Sequence, residues 1–233
     1  LKWEKIFTND FATTELLVKN GIFLLQYGAI DEVMKEMPDG VKLTRIDEDG
    51  KILWTAGLSA RTYNDAVAAF DNDGIVIAFT ENADSSNFYK REVSDSQYCS
   101  ILKIDFDGKI KWKKQFHAQN CTRPSALLVS GNNYVLAGYT GFYSSSYSGN
   151  WMCGSSHGNF YDTVDGFVLR IDKNGNFIKT SCIPHDDLPL FKYPQMQFLP
   201  DGSLFIGNER EKNEVSYDFT IFLAKTKRIA LAD

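Results

Sequence analysis

Long apolar runs are missing from this sequence. No stretch of eighteen or more apolar residues occurs, and the richest, Gly21–Ile30, is too short to cross a bilayer and carries Gln26. A membrane-spanning helix is therefore excluded. An excess of basic charge is missing as well. Lys and Arg number 25 against 30 Asp and Glu, giving a net charge of −5 and a pI near 5.3. That balance excludes the basic stripe that a nucleic-acid-binding surface needs. The familiar catalytic fingerprints are absent too: no Gly-x-Ser-x-Gly, no phosphate loop and no dinucleotide-binding glycine pattern occurs. With only four cysteines and no Cys-x-x-Cys, a zinc ribbon or thioredoxin-type site has no support. Nothing implies a cofactor. No leader peptide is visible, and the chain begins at Leu1 rather than Met, as a processed protein or an excerpt would.

What remains is a chain of 233 residues, 43% hydrophobic and 14% aromatic, enough for one large core. Its organisation is repetitive. "LTRIDEDGKILW" (43–54), "ILKIDFDGKIKW" (101–112) and "VLRIDKNGNFIK" (168–179) align without gaps. Each runs apolar, variable, basic, Ile-Asp, then an Asp-Gly or Asn-Gly turn between alternating runs. Such dipeptides are strong hairpin signals and point to two-residue type I′ turns. A second hairpin precedes each one: "TELLVKNGIFLLQYGA", "DAVAAFDNDGIVIAFT" and "SALLVSGNNYVLAGYT". A fourth copy begins in "YPQMQFLPDGSLFIGNE". One unit is therefore four strands, a to d. The turn glycines Gly50, Gly108 and Gly175 stand 58 and then 67 residues apart, the period of propeller blades.

Counting strands exposes a gap that the N-terminus fills. Strands a, b and c each occur four times, the last c being "FTIFLAKT", but strand d occurs three times. The opening "LKWEKIF" copies "IKWKKQF" (110–116) at four of seven positions. The expected fold is thus all-β, a single β-propeller over 1–233. It has four blades of four antiparallel strands (repeats at about 11–58, 63–116, 123–182 and 192–226), with residues 1–7 completing the last blade. Closure would protect the open edges of the terminal blades. Two other accounts of the pattern stand beside it: an excerpt cut from a longer array, or "RIALAD" serving as its own d strand.

The unit resembles the Asp-x-x-Gly-x-x-x-Trp blade repeat of bacterial β-propellers of the quinoprotein-like class and of bacterial secreted and surface proteins. Asp47, Gly50 and Trp54 match it, as do Asp105, Gly108 and Trp112, while the third copy has Lys179 in the tryptophan position. The resemblance implies a scaffold, and propellers host many unrelated activities. Together with loop cysteines, it points to an extracellular or cell-envelope protein of a bacterium.

The a–b and c–d turns are all tight, whereas the b–c and d–a connections are long: "IDEVMKEMPDGV", "ENADSSNFYKREVSDSQ", "GFYSSSYSGNWMCGSSHGNFYDTVD", "NEREKNEVSYD", "FHAQNCTRP" and "SCIPHDDLPLFKYP". Long connections on a rigid scaffold usually carry function, so one face is expected to be the working face. Phe142, Tyr143, Tyr147, Trp151, Phe160 and Tyr161 lie in its longest insert, among Ser and Gly, as in binding loops. The same aromatics could instead cap their own blade. His117, His157 and His185 with Asp186 form a candidate mixed metal or acid–base cluster, although their spacing matches no ligand motif. Cys99, Cys121, Cys153 and Cys182 suit two disulfides, Cys99–Cys121 and Cys153–Cys182 by chain proximity, or four free thiols in a reducing compartment. The Asp-x-Asp-Gly runs at 47–50, 71–74 and 105–108 read as turns rather than calcium loops. The basic residues Arg45, Lys103 and Arg170 are expected to join neighbouring blades or cap turns. Two functions fit: a non-enzymatic binding or assembly module for a protein or glycan, or a hydrolase or lyase using the His/Asp cluster.

Overall fold

The computed structural model describes residues 13–19, 21–27, 40–59, 62–82, 97–117, 122–140, 165–183, 195–199, 201, 203–213 and 216–225. Among these there is no helix; fifteen strands form four antiparallel sheets. The first sheet is β1(Thr13–Val18), β2(Ile22–Tyr27), β3(Val41–Ile46) and β4(Ile52–Ser59), in that spatial order. The second is β5(Thr62–Phe70), β6(Gly74–Asn82), β7(Gln97–Asp105) and β8(Ile110–His117), and the third β9(Thr122–Ser130), β10(Asn133–Thr140), β11(Asp165–Asp172) and β12(Phe177–Ile183). The fourth holds β13(Gln195–Phe198), β14(Leu204–Asn213) and β15(Ser216–Lys225). Each is a meander in chain order, matching the four repeats read from the sequence. Residues 1–7, the expected sixteenth strand, lie outside the described residues.

The c–d turns differ from the sequence expectation. They are three-residue loops, not two-residue ones. Gly50 N–H donates to Asp47 O (3.1 Å) and Asp47 N–H to Lys51 O (3.0 Å), and Asp105–Lys109 and Asp172–Asn176 repeat both bonds. Only the glycine is left-handed, with φ of 81°, 87° and 79° at Gly50, Gly108 and Gly175. This is a type I turn followed by a bulge glycine. It forms because the first Asp caps it: Asp47 Oδ1 accepts from the N–H groups of Asp49 (3.0 Å) and Lys51 (2.8 Å), and Asp105 and Asp172 do likewise.

A second repeated irregularity follows. Ile46 pairs with Ile52 but Arg45 with Trp54, so Leu53 is an extra residue; Lys111 and Ile178 are its equivalents in β8 and β12. Strict alternation along "IKWKKQF" would put Ile110, Trp112 and Phe116 on one face, and the bulge at Lys111 breaks it. Ile110 is left exposed, as are Ile52, Leu53, Phe177 and Ile178.

The sheets stack face to face in chain order. Phe23, Leu25 and Leu43 of the first meet Ile75, Ile77, Leu102 and Ile104 of the second. Val76, Ala78 and Ile101 on the second sheet's other face meet Tyr134, Leu136, Leu169 and Ile171 of the third. Val135, Ala137 and Val168 then meet Leu204 and Ile206 of the fourth. Strands β2, β6 and β10 are buried on both faces over most of their length, as their unbroken apolar runs require.

Candidate functional site

Antiparallel order within each meander places the a–b and c–d turns at one end, and the d–a links carry that polarity from sheet to sheet. The other end therefore bears the connections 28–39, 83–96, 141–164 and 184–194. The fourth b–c connection departs from expectation. The polar run "NEREKNEVSYD" continues the ladder of β14 and β15, with Arg210 opposite Thr220 and Asn213 opposite Ser216, and only residues 214–215 remain between the strands. Polar side chains do not prevent pairing when the backbone ladder can simply extend.

At the tight-turn rim, side chains bind the sheets to one another. Between the first and second sheets, Arg45 Nη1 and Trp54 Nε1 both donate to the carbonyl of Phe106, at 2.6 and 2.9 Å. Between the second and third, Trp112 Nε1 donates to Lys173 O (3.0 Å). Here the Asp71 carboxylate, nearly removed from solvent, receives Lys103 Nζ (3.0 Å), Lys173 Nζ (2.7 Å) and Tyr134 Oη (2.5 Å). Lys103 also pairs with Asp73 (2.5 Å), and Lys173 lies 4.4 Å from the Tyr134 ring centroid. Burial alone would raise the Asp71 pKa, but the hydrogen bonds from Lys173, Tyr134 and Lys103 outweigh it and hold the carboxyl well below its usual range. Burial likewise opposes the charge on Lys103, yet Asp73 and Asp71 push its pKa upward. Burial and the bond to Asp71 together raise Tyr134. Every group here is committed to a neighbour, which suits a structural clamp.

At the opposite end of the second sheet a half-buried carboxylate gathers donors. Glu81 accepts from Ser100 Oγ (2.5 Å), Lys113 Nζ (2.9 Å) and Gln115 Nε2 (3.1 Å), directly where the 83–96 connection departs. Lys113 also stands 5.5 Å from the Phe79 ring centroid. The first sheet has a smaller counterpart, Tyr27 Oη donating to Glu15 (2.9 Å).

Of the residues singled out from the sequence, His117 ends β8 opposite Tyr98, on the long-connection rim. Phe142, Tyr143, Tyr147, Trp151, Phe160, Tyr161, His157, His185, Asp186, Cys121 and Cys153 lie outside the described residues. Cys182 sits on β12 opposite Phe167. Cys99 corrects an expectation. It is not a loop cysteine paired with Cys121 but a free thiol on β7, fully buried opposite Phe116 in the core cluster between the second and third sheets. That burial pushes its pKa far up, so it behaves as a small core residue. Arg45 does join sheets, as expected. The ion pairs of Lys103, to Asp71 and Asp73, instead lie within its own sheet, and only its approach to the Tyr134 ring (6.0 Å) reaches the next. Asp47, Asp105 and Asp172 cap their own turns. The Asp71 clamp was not read from the sequence. Asp71 was visible only as a turn residue, and its partners Tyr134 and Lys173 carry no local signal.

The described architecture is an all-β chain of four antiparallel meanders stacked in sequence. No family model matches the chain, and no curated protein matches it. Among solved structures it is similar to a mutant of the Synechocystis apocarotenoid oxygenase (TM-score 0.40, 12% identity, over 81% of this chain and 41% of that one). It is also similar to a chimera of that protein with RPE65 (TM-score 0.41, 11% identity, 88% and 46%). The chain spans less than half the length of either. Likeness at this level assigns no activity to it.

Proposed function

We propose that the chain is a four-bladed β-propeller, closed by residues 1–7 and related to the blade repeats of bacterial secreted and surface proteins. It acts as a non-enzymatic binding or assembly module outside the cytoplasm, with a protein or glycan taken on the long-connection face. The observation that carries this reading is the division of labour between the rims. The tight-turn rim uses its charged and aromatic groups to hold sheets together, whereas the longest connections all leave from the other. A rigid scaffold presenting long segments at one end is the usual form of a recognition surface.

Replacing Phe142, Tyr143, Tyr147 and Trp151 together with Ser is expected to leave the β-sheet circular dichroism unchanged. The same change should weaken retention on an immobilised oligosaccharide or peptide panel more than tenfold, since aromatic anchors dominate such surfaces. A variant that melts far below the parent while still binding would make these aromatics a cap. Loss of a hydrolytic or lyase activity on substituting His185 or Asp186, with binding intact, would favour the enzyme reading built on His117, His157, His185 and Asp186.

The burial of Cys99 leaves one disulfide rather than two within this proposal, Cys182 with Cys121 or Cys153. Intact mass without reductant should then fall two hydrogens below the fully reduced chain. A deficit of four would restore the two-disulfide scheme, and no deficit would remove the case for an oxidising compartment.

A further inference from the structure

Two contacts of identical form join successive sheets, and a third is implied. The Trp54 ring covers Gly108, so that a Cβ added there would lie 2.8 Å from its Cδ2, and Trp112 covers Gly175 in the same way at 2.9 Å. In both, the indole N–H donates to the carbonyl of the residue just after the capping aspartate, Phe106 after Asp105 and Lys173 after Asp172. The tryptophan of one sheet is thus made for the turn glycine of the next. Lys179 replaces it in the third copy, and the fourth copy has no Asp-Gly after its c strand for a tryptophan to cover.

The first sheet has the receiving turn: Gly50 is buried, at φ 81°, in the same loop, with Glu48 following Asp47. Its receiving face is buried too. By register Ile22, Leu24, Thr44 and Ile46 match Tyr134, Leu136, Leu169 and Ile171, the positions by which the third sheet receives the second. Leu24, Thr44 and Ile46 are only 8%, 3% and 2% exposed, although the second sheet packs on their opposite face. Leu16 and Val18 on β1 stay exposed, so the cover lies over the middle strands. The fourth sheet offers the matching donor face, with Phe205 at the position of Phe23 and Val76.

We infer that Trp3 is the third latch, its ring over Gly50 and its indole N–H on the Glu48 carbonyl, in register opposite Lys225 as Trp54 is opposite Arg45 and Trp112 opposite Lys103. The occupant of the first sheet's receiving face is thus the fourth sheet completed by "LKWEKIF". This rests on the closed ring proposed above and specifies the contact that fastens it.

The test is NMR on the full chain. A covering indole shifts the glycine Hα protons upfield, so Gly50, Gly108 and Gly175 should all be displaced. Trp3→Ala should release Gly50 alone, Trp54→Ala Gly108, and Trp112→Ala Gly175. Should Trp3→Ala fail to fold, hydrogen exchange of the unmodified chain decides. The Trp3 indole N–H, assigned through Trp3→Phe, should exchange as slowly as those of Trp54 and Trp112. An undisplaced Gly50, or a Trp3 indole exchanging at the rate of an exposed one, overturns the latch. In that event, NOEs between Phe205 and Leu24 or Ile46 would show the ring closed by other contacts, and their absence would show it open.

Discussion

Asp71→Ala is expected to cost about 3–5 kcal/mol, the usual penalty for removing one partner of a buried ion pair. The size follows from what is left behind. Asp71 has 4% of its side chain exposed and is approached by two ammonium groups and a phenol from two different sheets. Without it, Lys103 stays buried with Asp73, itself 65% exposed, as its remaining carboxylate partner. Tyr134→Phe removes one of the three donors and should cost only about 0.5–1.5 kcal/mol. Urea titration at neutral pH measures both. The pH dependence provides a separate check. The folded-state pKa of Asp71 lies below its ordinary value of 3.8, so its contribution is complete above that value and is lost as pH falls toward the folded pKa. The stability gap between the parent and Asp71→Asn should therefore be constant from pH 5 to 7 and narrow below about 4. A gap that stays constant to pH 2 would show that the clamp contributes no linked proton.

Trp112→Ala should cost about 3 kcal/mol, at the lower end of the range for aromatic truncation because the ring is only partly buried. Trp112→Phe keeps most of the ring and loses the bond to Lys173 O, for about 0.5–1.5 kcal/mol. The more specific outcome concerns coupling. Gly175→Ala meets three obstacles: a φ of 79°, the Cγ of Lys114 at 2.8 Å and an indole 2.9 Å from the new Cβ. In a Trp112→Ala background the indole is gone and the Lys114 side chain has room to turn aside, so the remaining cost should fall toward the intrinsic left-handed penalty of about 1–2 kcal/mol. A double-mutant cycle by thermal or urea melts should therefore show strong non-additivity. Additive effects would mean that the ring and the glycine do not act as a pair.

The order of the described strands in the four sheets was legible because it rests on local signals: alternation of period two and short turns rich in Asp, Asn and Gly, repeated in register. The same signals placed every tight turn on one rim. They misjudged the turn type, since Asp-Gly fits a bulge-glycine loop as well as a two-residue turn, and nothing in the dipeptide separates the two. The bulges at Leu53, Lys111 and Ile178 were hidden for a related reason, because a single extra residue leaves the composition of a strand unchanged. The pattern also marked the Asp, Gly and Trp of the first two repeats without saying what the tryptophan was for. Its partner glycine is in the next sheet, not its own.

Tertiary structure alone decided which distant groups meet. Asp71 and Lys173 are 102 residues apart in the chain and 2.7 Å apart in space, a pairing set by how one sheet stacks on the next. Cys99, which ends a polar insert in the chain, is in the core because its strand begins before it and its side chain faces the third sheet. Glu81, Ser100, Lys113 and Gln115 come together only because three neighbouring strands share one face at one end. Periodicity and turn chemistry are properties of a few consecutive residues and can be read from the chain. The juxtaposition of charges is a property of sheet stacking, and it exists only once the sheets have packed.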